Sequence, residues 1–248
     1  MEQYFSELSN SARIEILQIL KQSPMPLSKI TKKIGDISNS EVSRHLSRLS
    51  EKFFIQKDPT GGRKYVLTEF GETIIKMLQP LVFLFSHENF FHTHSLKHIP
   101  FEFQTKLHAL KNATLIEGTG HVMVELKEFM ELPSEKVCIM VDSPFPFENT
   151  TADIDFIVPE AMKKMKPEYK NIKHTYRFKF IPVTGVCISY NDLGVGYIFF
   201  PRVNEDKTDF NFAFRVEDKE GVSLLKELWD YYWATESEYV LIDKNHKP

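Results

Sequence analysis

The chain is poor in the features that would assign it at once. It has two cysteines in 248 residues, Cys138 and Cys187, both inside apolar runs that read as buried strands. That usage points to a reducing, cytoplasmic setting, and burial dulls both thiols as redox sensors. No apolar run approaches the roughly 18–20 residues of a membrane span, and the longest candidate, PLVFLF at Pro80–Phe85, falls far short. The opening MEQYFSELSNSARIE is acidic and amphipathic, unlike a signal or transit peptide. GxSxG, Walker-loop, GxGxxG, CxxC and HExxH patterns are missing, as are repeats and low-complexity tracts. The glycine pair in GVGYIF enters a strand and no helix.

What is present is an ordinary globular composition, 42% hydrophobic and 26% charged. The net charge of -3 hides an asymmetry. Residues 1–80 hold 12 Lys and Arg against 9 Asp and Glu, while the remainder holds 19 against 25. Between Leu27 and Val66 the balance is 9 basic to 4 acidic. A basic patch on an acidic protein points to a polyanionic partner for one part of the molecule.

The order of elements in that part is helix, helix, turn, helix, hairpin, helix. Ala12–Leu20 is strongly helical, entered from SNS as a cap, and SPMP breaks it. PLSKITKKIG forms a short helix stopped by Gly35. In SNSEVSRHLSRLSEKF, Ser38 and Glu41 fit a capping box, and Val42, Leu46 and Leu49 make one apolar stripe. FFIQKD and RKYVLT flank PTGG as a hairpin, and another helix opens at Thr68. The face of the third helix opposite its leucines carries Ser40, Ser43, Arg44, Ser47 and Arg48. Alone it reads as a solvated surface; with the short turn, hairpin and local positive charge it reads as a DNA-contacting face. Short serines allow close approach, arginine can bridge guanine O6 and N7, and the helix start near Ser38 suits a phosphate. Arg63 and Lys64 beside Gly61–Gly62 are expected to reach phosphates or the neighbouring minor groove, and Lys29 and Lys57 to attract phosphates. His45, at the edge of the stripe, reads as a packing or phosphate residue.

These segments, NSARIEILQIL, PLSKITKKIG, SNSEVSRHLSRL and GGRKYVLTEFG, resemble a winged helix-turn-helix domain of the ArsR type. The resemblance implies that the third helix enters the major groove of double-stranded DNA. One departure is visible: Phe53 stands where such domains usually place glycine, between that helix and the first wing strand.

Thr68–His94 is long and aromatic, and Pro80 is expected to kink it or start a second helix. So apolar a segment is expected to pair with its copy in a homodimer, or else to pack on the second domain. His87, His92, His94 and His98 lie nearby, but their spacing fits no zinc motif, so they read as polar positions of a helical connector. No metal or cofactor is expected.

From Ala113 on, TLIEG, KVCIMVD, DIDFIVP, HTYRFKFIP, GVCISYND and GYIFFP are strand-like, with GHVMVELKEFMEL and KEGVSLLKELWDYYW helical. The expectation is an α+β chain: DNA-binding domain 1–79, helical connector and dimerisation segment 80–112, and an α/β domain with a central mixed sheet, 113–248. FFHTHSLKHIPFEFQTKLHAL, TLIEGTGHVMVELKEFMELPSEKVCIMVD and FNFAFRVEDKEGVSLLKELWDYYWATES resemble the sensor domain of archaeal winged-helix regulators of methanogenesis and filament growth. Like the sugar-responsive TrmB group, those regulators have an effector part similar to half of a phospholipase D fold. Phospholipase D chemistry needs His-x-Lys, and none of the nine histidines has lysine two positions on. The reading is therefore a ligand-responsive DNA-binding transcription regulator, not an enzyme. A diverged phosphodiesterase, or an architectural or protein-docking module without effector, remains the alternative. Glu117, His121, Asp142, His174, Arg177 and Tyr190, near strand ends, are candidate groups for a small-molecule effector, or else surface and cap residues.

Overall fold

The computed structural model describes residues 2–142, 152–164, 175–182, 185–234 and 239–242. The fold is α+β and divides into two compact units, Met1–Gln79 and Pro80–Pro248.

The first unit contains α1 (Glu2–Leu8), α2 (Ser11–Gln22), β1 (Met25–Pro26), α3 (Leu27–Ile34), α4 (Asn39–Glu51), β2 (Ile55–Lys57), β3 (Lys64–Leu67) and the start of α5 (Glu69–Ser86). Local chemistry sets most of these boundaries. The Asn10 side chain caps α2 by accepting the Arg13 N–H at 3.1 Å. Gly35, at φ 84°, ends α3 in a conformation that favours glycine, and its N–H bonds the Thr31 carbonyl. Ser38 and Glu41 form the expected capping box on α4. The hairpin pairs Ile55 with Leu67 and Lys57 with Tyr65, antiparallel. SPMP, read as a break, also holds β1, which pairs Met25 with Tyr65. Two residues carry no alternation, so no periodicity could announce that strand. Ile16, Leu17, Ile30, Val42, Leu46, Leu49, Phe54 and Ile75 close the core.

The end of α4 shows what the Phe53 departure means. The Phe53 N–H bonds the Ser50 carbonyl, and the Phe54 N–H bonds the Leu49 carbonyl, both at 3.0 Å. That is a Schellman ending, with Phe54 packed in the same core as Leu49. It requires a left-handed residue between, and Phe53 supplies it at φ 60°. A phenylalanine accepts the strain that glycine would avoid.

The expected kink or restart at Pro80 is not where the chain breaks. Helix α5 runs through Pro80 to Ser86, and α6 (Glu88–Phe91) starts only after His87. An interior proline removes one helix hydrogen bond, at about 3 kcal/mol. Ile75 and Phe83, 1% and 3% exposed, anchor the turns on either side of it.

In the second unit α6 is followed by α7 (Phe101–Gln104), β4 (Thr114–Glu117), α8 (Thr119–Glu131), β5 (Lys136–Met140), β6 (Asp153–Pro159), β7 (Tyr176–Ile181), β8 (Cys187–Asn191), β9 (Gly196–Phe199), β10 (Phe212–Val216), α9 (Lys219–Ala234) and β11 (Tyr239–Ile242). The strands form one mixed sheet, ordered β11-β7-β6-β5-β8-β9-β10-β4. β5–β6 and β6–β7 are parallel, and the other neighbours antiparallel. Val137, Ile139 and Val141 point into a core shared with α8, while Cys138 and Met140 point into one shared with α9. Burial on both faces is why KVCIMVD reads as a continuous apolar run. Residues 80–112, read as a separate connector, lie in this unit and give Phe90, Ile99, Phe103, Leu107 and Leu110 to its core. No helix among the described residues is long and apolar enough to cross a membrane.

Candidate nucleic-acid interface

Helix α4 has two chemically distinct sides. Val42, Leu46 and Leu49 are fully buried, whereas Ser40, Ser43, Arg44, Ser47 and Arg48 are exposed. With 3.6 residues per turn, the exposed five fall on one arc. The buried arc also includes His45, 9% exposed, whose Nδ1 has no hydrogen-bond partner among the described residues. Burial, together with Arg13, Arg44 and Arg48, lowers its pKa against the weaker pull of Glu41, so the ring is a neutral packing residue.

Ser38 serves the cap. Its Oγ accepts the Glu41 N–H at 3.3 Å, and its N–H donates to Glu41 Oε2 at 3.1 Å. That N–H bond, with the Ser38 hydroxyl also donating to Oε2 at 3.1 Å, holds the Glu41 carboxyl below its usual range. The positive pole of α4 is thus met by the protein's own carboxylate, which alters the expectation of a phosphate there.

The two arginines differ. Arg44 makes no side-chain hydrogen bond or ion pair among the described residues. Arg48 is gripped by Glu7 of α1: Nη2 lies 2.7 Å from Oε1, and Nε 3.1 Å from Oε2. Glu7 is itself buried, 4% exposed, and takes a second cation, Arg13, with Nε 3.2 Å from Oε2. Burial opposes ionisation of Glu7. The Arg48 hydrogen bond and the charges of Arg13, Arg48 and Lys52 outweigh it and hold the carboxyl below its ordinary value. Nothing in the sequence announces this contact, which joins residues 41 positions apart.

Lys29 on α3, Lys57 on β2, and Arg63 and Lys64 around the hairpin tip are exposed, with no side-chain ion pair among the described residues. The tip is built by Asp58, which accepts from the Thr60 N–H and hydroxyl at 2.9 and 2.7 Å, and by Gly61 and Gly62 at φ 101° and 97°. Beta carbons there would meet open space but a disfavoured backbone.

The six effector candidates do not form one cluster among the described residues. Glu117, at the end of β4, and His121, in the first turn of α8, are exposed, with His121 Nδ1 3.1 Å from the Glu117 carbonyl. Asp142 accepts the Thr208 N–H at 2.7 Å. Tyr190 and Arg177 share a register row, Tyr190–Cys138–Asp155–Arg177, across β8, β5, β6 and β7. There Arg177 forks onto the buried Asp155, which also takes Lys136 at 2.9 Å. The sign of Asp155 in the sequence is an aspartate within the apolar run DIDFIVP. His174 lies outside the described residues.

The four clustered histidines go to different places. His87 packs on Phe83 and Phe214, with burial lowering its pKa. His92 is exposed, His94 lies buried 3.4 Å from Asp209, and His98 is 3.4 Å from Asp206. No group of three potential ligands converges among the described residues. Both thiols are free and buried; burial pushes Cys138 up to about 11 and Cys187 higher still.

Residues 1–78, almost the whole first unit, match a family described as a domain of unknown function, DUF7347. No curated protein matches the chain. Among solved structures, a similar one is that of TrmBL2, an archaeal chromatin protein described as showing a novel mode of DNA binding. It covers 93% of this chain and 94% of that one, at 12% identity and a TM-score of 0.37.

Proposed function

We propose that this protein is a DNA-binding transcription regulator whose first unit is a winged helix-turn-helix. Helix α4 lies in the major groove and the β2–β3 hairpin is the wing. The observation that carries the reading is the exposed arc of α4, where Ser40, Ser43, Ser47 and an uncommitted Arg44 stand opposite a fully buried apolar stripe. Arg44 reads a base edge, the serines contact the backbone, and Lys29, Lys57, Arg63 and Lys64 attract phosphates.

A homodimer on a two-fold operator suits this reading, with half-sites about 34 Å apart. Met77, Leu81 and Phe85, four residues apart along α5 and 69%, 43% and 70% exposed, are the apolar positions it would cover. The second unit, near Arg177 and Tyr190, is the place for a small-molecule effector. One observation favours instead an architectural module without effector: among the described residues Glu117 with His121, Asp142, and the Arg177–Tyr190 row do not form one cluster.

The test is selection of bound duplexes from a random pool, followed by titration. Arg44→Ala should weaken the selected site by about 1–3 kcal/mol and relax the preference at one base pair. Lys64→Ala should weaken all duplexes alike and reduce the salt slope by about 0.9. Absence of binding at low salt, or an Arg44→Ala loss equal on every sequence, refutes the reading. A small-molecule extract that shifts the wild-type Kd separates the regulator from the architectural module.

A further inference from the structure

The sequence offers two arginines one turn apart on the α4 arc, and the fold treats them unequally. Arg48 is only partly covered, its side chain 47% exposed, yet both its Nε and Nη2 are engaged by Glu7. The carboxylate that holds it is buried and ionised, with Arg13 as its other cation. Drawing Arg48 away to a phosphate would leave that carboxylate with Arg13 as its one ion-pair partner among the described residues, and Arg13 is also occupied by the carbonyls of Glu7 and Ser6 at 2.7 and 2.8 Å. A second link joins the same elements: Lys52 Nζ, just past α4, donates to Gln3 Oε1 of α1 at 2.9 Å. Arg48 also sits in the last turn of α4, while helices of this kind read bases with residues nearer the N-terminus.

We infer that Glu7 determines which arginine meets the duplex: by gripping Arg48 it confines reading by α4 to Arg44. Glu7 is thus a specificity-determining residue that touches no DNA, and α1 is the element that carries it. This rests on the DNA-binding reading above. Freed, Arg48 adds one sequence-independent phosphate contact, which raises affinity for every duplex and dilutes discrimination.

The experiment titrates the full chain onto its selected duplex and a scrambled one at 50 and 200 mM salt. The proteins are wild type, Glu7→Gln, Arg48→Gln and the combined variant, each first melted to establish cooperative folding. Glu7→Gln is expected to bind both duplexes more tightly, by about three- to tenfold at 50 mM. Its salt slope should steepen by about 0.9, so the gain shrinks about 3.5-fold at 200 mM. In the Arg48→Gln background the same change should move affinity less than about twofold. A merely structural Glu7 would shift melting without changing the slope. A folded Glu7→Gln protein with wild-type slope overturns the inference. So does a gain that persists without Arg48, because Glu7 would then act only through its own charge.

If Glu7→Gln does not melt cooperatively, Arg48→Lys replaces it: the fork is lost while Glu7 and Arg13 stay. A steeper slope supports the inference, and an unchanged one overturns it. Failure of every protein to bind any duplex overturns the DNA-binding reading itself.

Discussion

Gly71→Ala is expected to destabilise the first unit, against the usual preference of helices for alanine. Gly71 stands near the start of α5, where the Thr68 hydroxyl accepts its N–H at 3.0 Å. On helix propensity alone, alanine would stabilise this position by about 1 kcal/mol. Packing says otherwise. A beta carbon at residue 71 would lie 1.9 Å from the Phe54 carbonyl oxygen and 2.9 Å from its carbon. The obstacle is backbone and cannot rotate away. Relief requires α5 to retreat by about 1 Å or more from the end of α4, as overpacking does. The Thr68 N–H bond to Phe54 O, now 3.1 Å, and the Thr68 hydroxyl bond to Phe53 O would then stretch, at about 1 kcal/mol each. The turn that buries Ile75 would loosen with them. With overpacking strain of about 1–3 kcal/mol, the net expected loss is about 3 kcal/mol. A unit of this size is held by roughly 4–12 kcal/mol. Hydrogen exchange on the full chain reads both units at once. Protection should fall across residues 2–79 and stay unchanged in the sheet of the second unit. An unchanged or more stable first unit would show that propensity wins and that the close approach is not rigid.

Phe53→Gly should stabilise the first unit by about 0.5–1 kcal/mol in urea melts. It relieves a left-handed phenylalanine that is 71% exposed and forfeits little burial, against a partly offsetting gain in unfolded-state entropy; a loss of stability would mean the ring is covered in solution. His45 is neutral in the fold, with its pKa below the ordinary 6.5, so its contribution is complete above about pH 6.5 and declines as pH falls towards the folded value. His45→Leu should flatten that part of the stability–pH curve for the first unit, and an unchanged slope would assign it elsewhere. The Glu7 carboxyl is also depressed, but its contribution begins to be lost only below its ordinary 4.5, so the decline that starts just below pH 6.5 is not Glu7's.

Features governed by neighbours along the chain were legible without coordinates. The cap from Ser38 and Glu41, the stop at Gly35, the stripe of Val42, Leu46 and Leu49 and the hairpin around Gly61–Gly62 each depend on a few consecutive residues. Doubly buried strands such as Lys136–Met140 declared themselves by unbroken apolarity. Even the unusual Phe53 could be noticed as a side chain in a glycine's place, though not that it adopts the glycine's conformation.

Tertiary structure alone decided what depends on groups brought together from afar. It gave Arg48 to Glu7 across 41 residues, Arg177 to Asp155 across 22, and His94 to Asp209 across 115. It carried α5 through Pro80, drew residues 80–112 into the second core, and dispersed the expected effector groups. Hydrophobic periodicity and capping are short-range and repeat within a turn or two, so a sequence displays them. Which charge meets which is settled where water is excluded and a buried carboxylate must find cations, and that place exists only once the chain has folded.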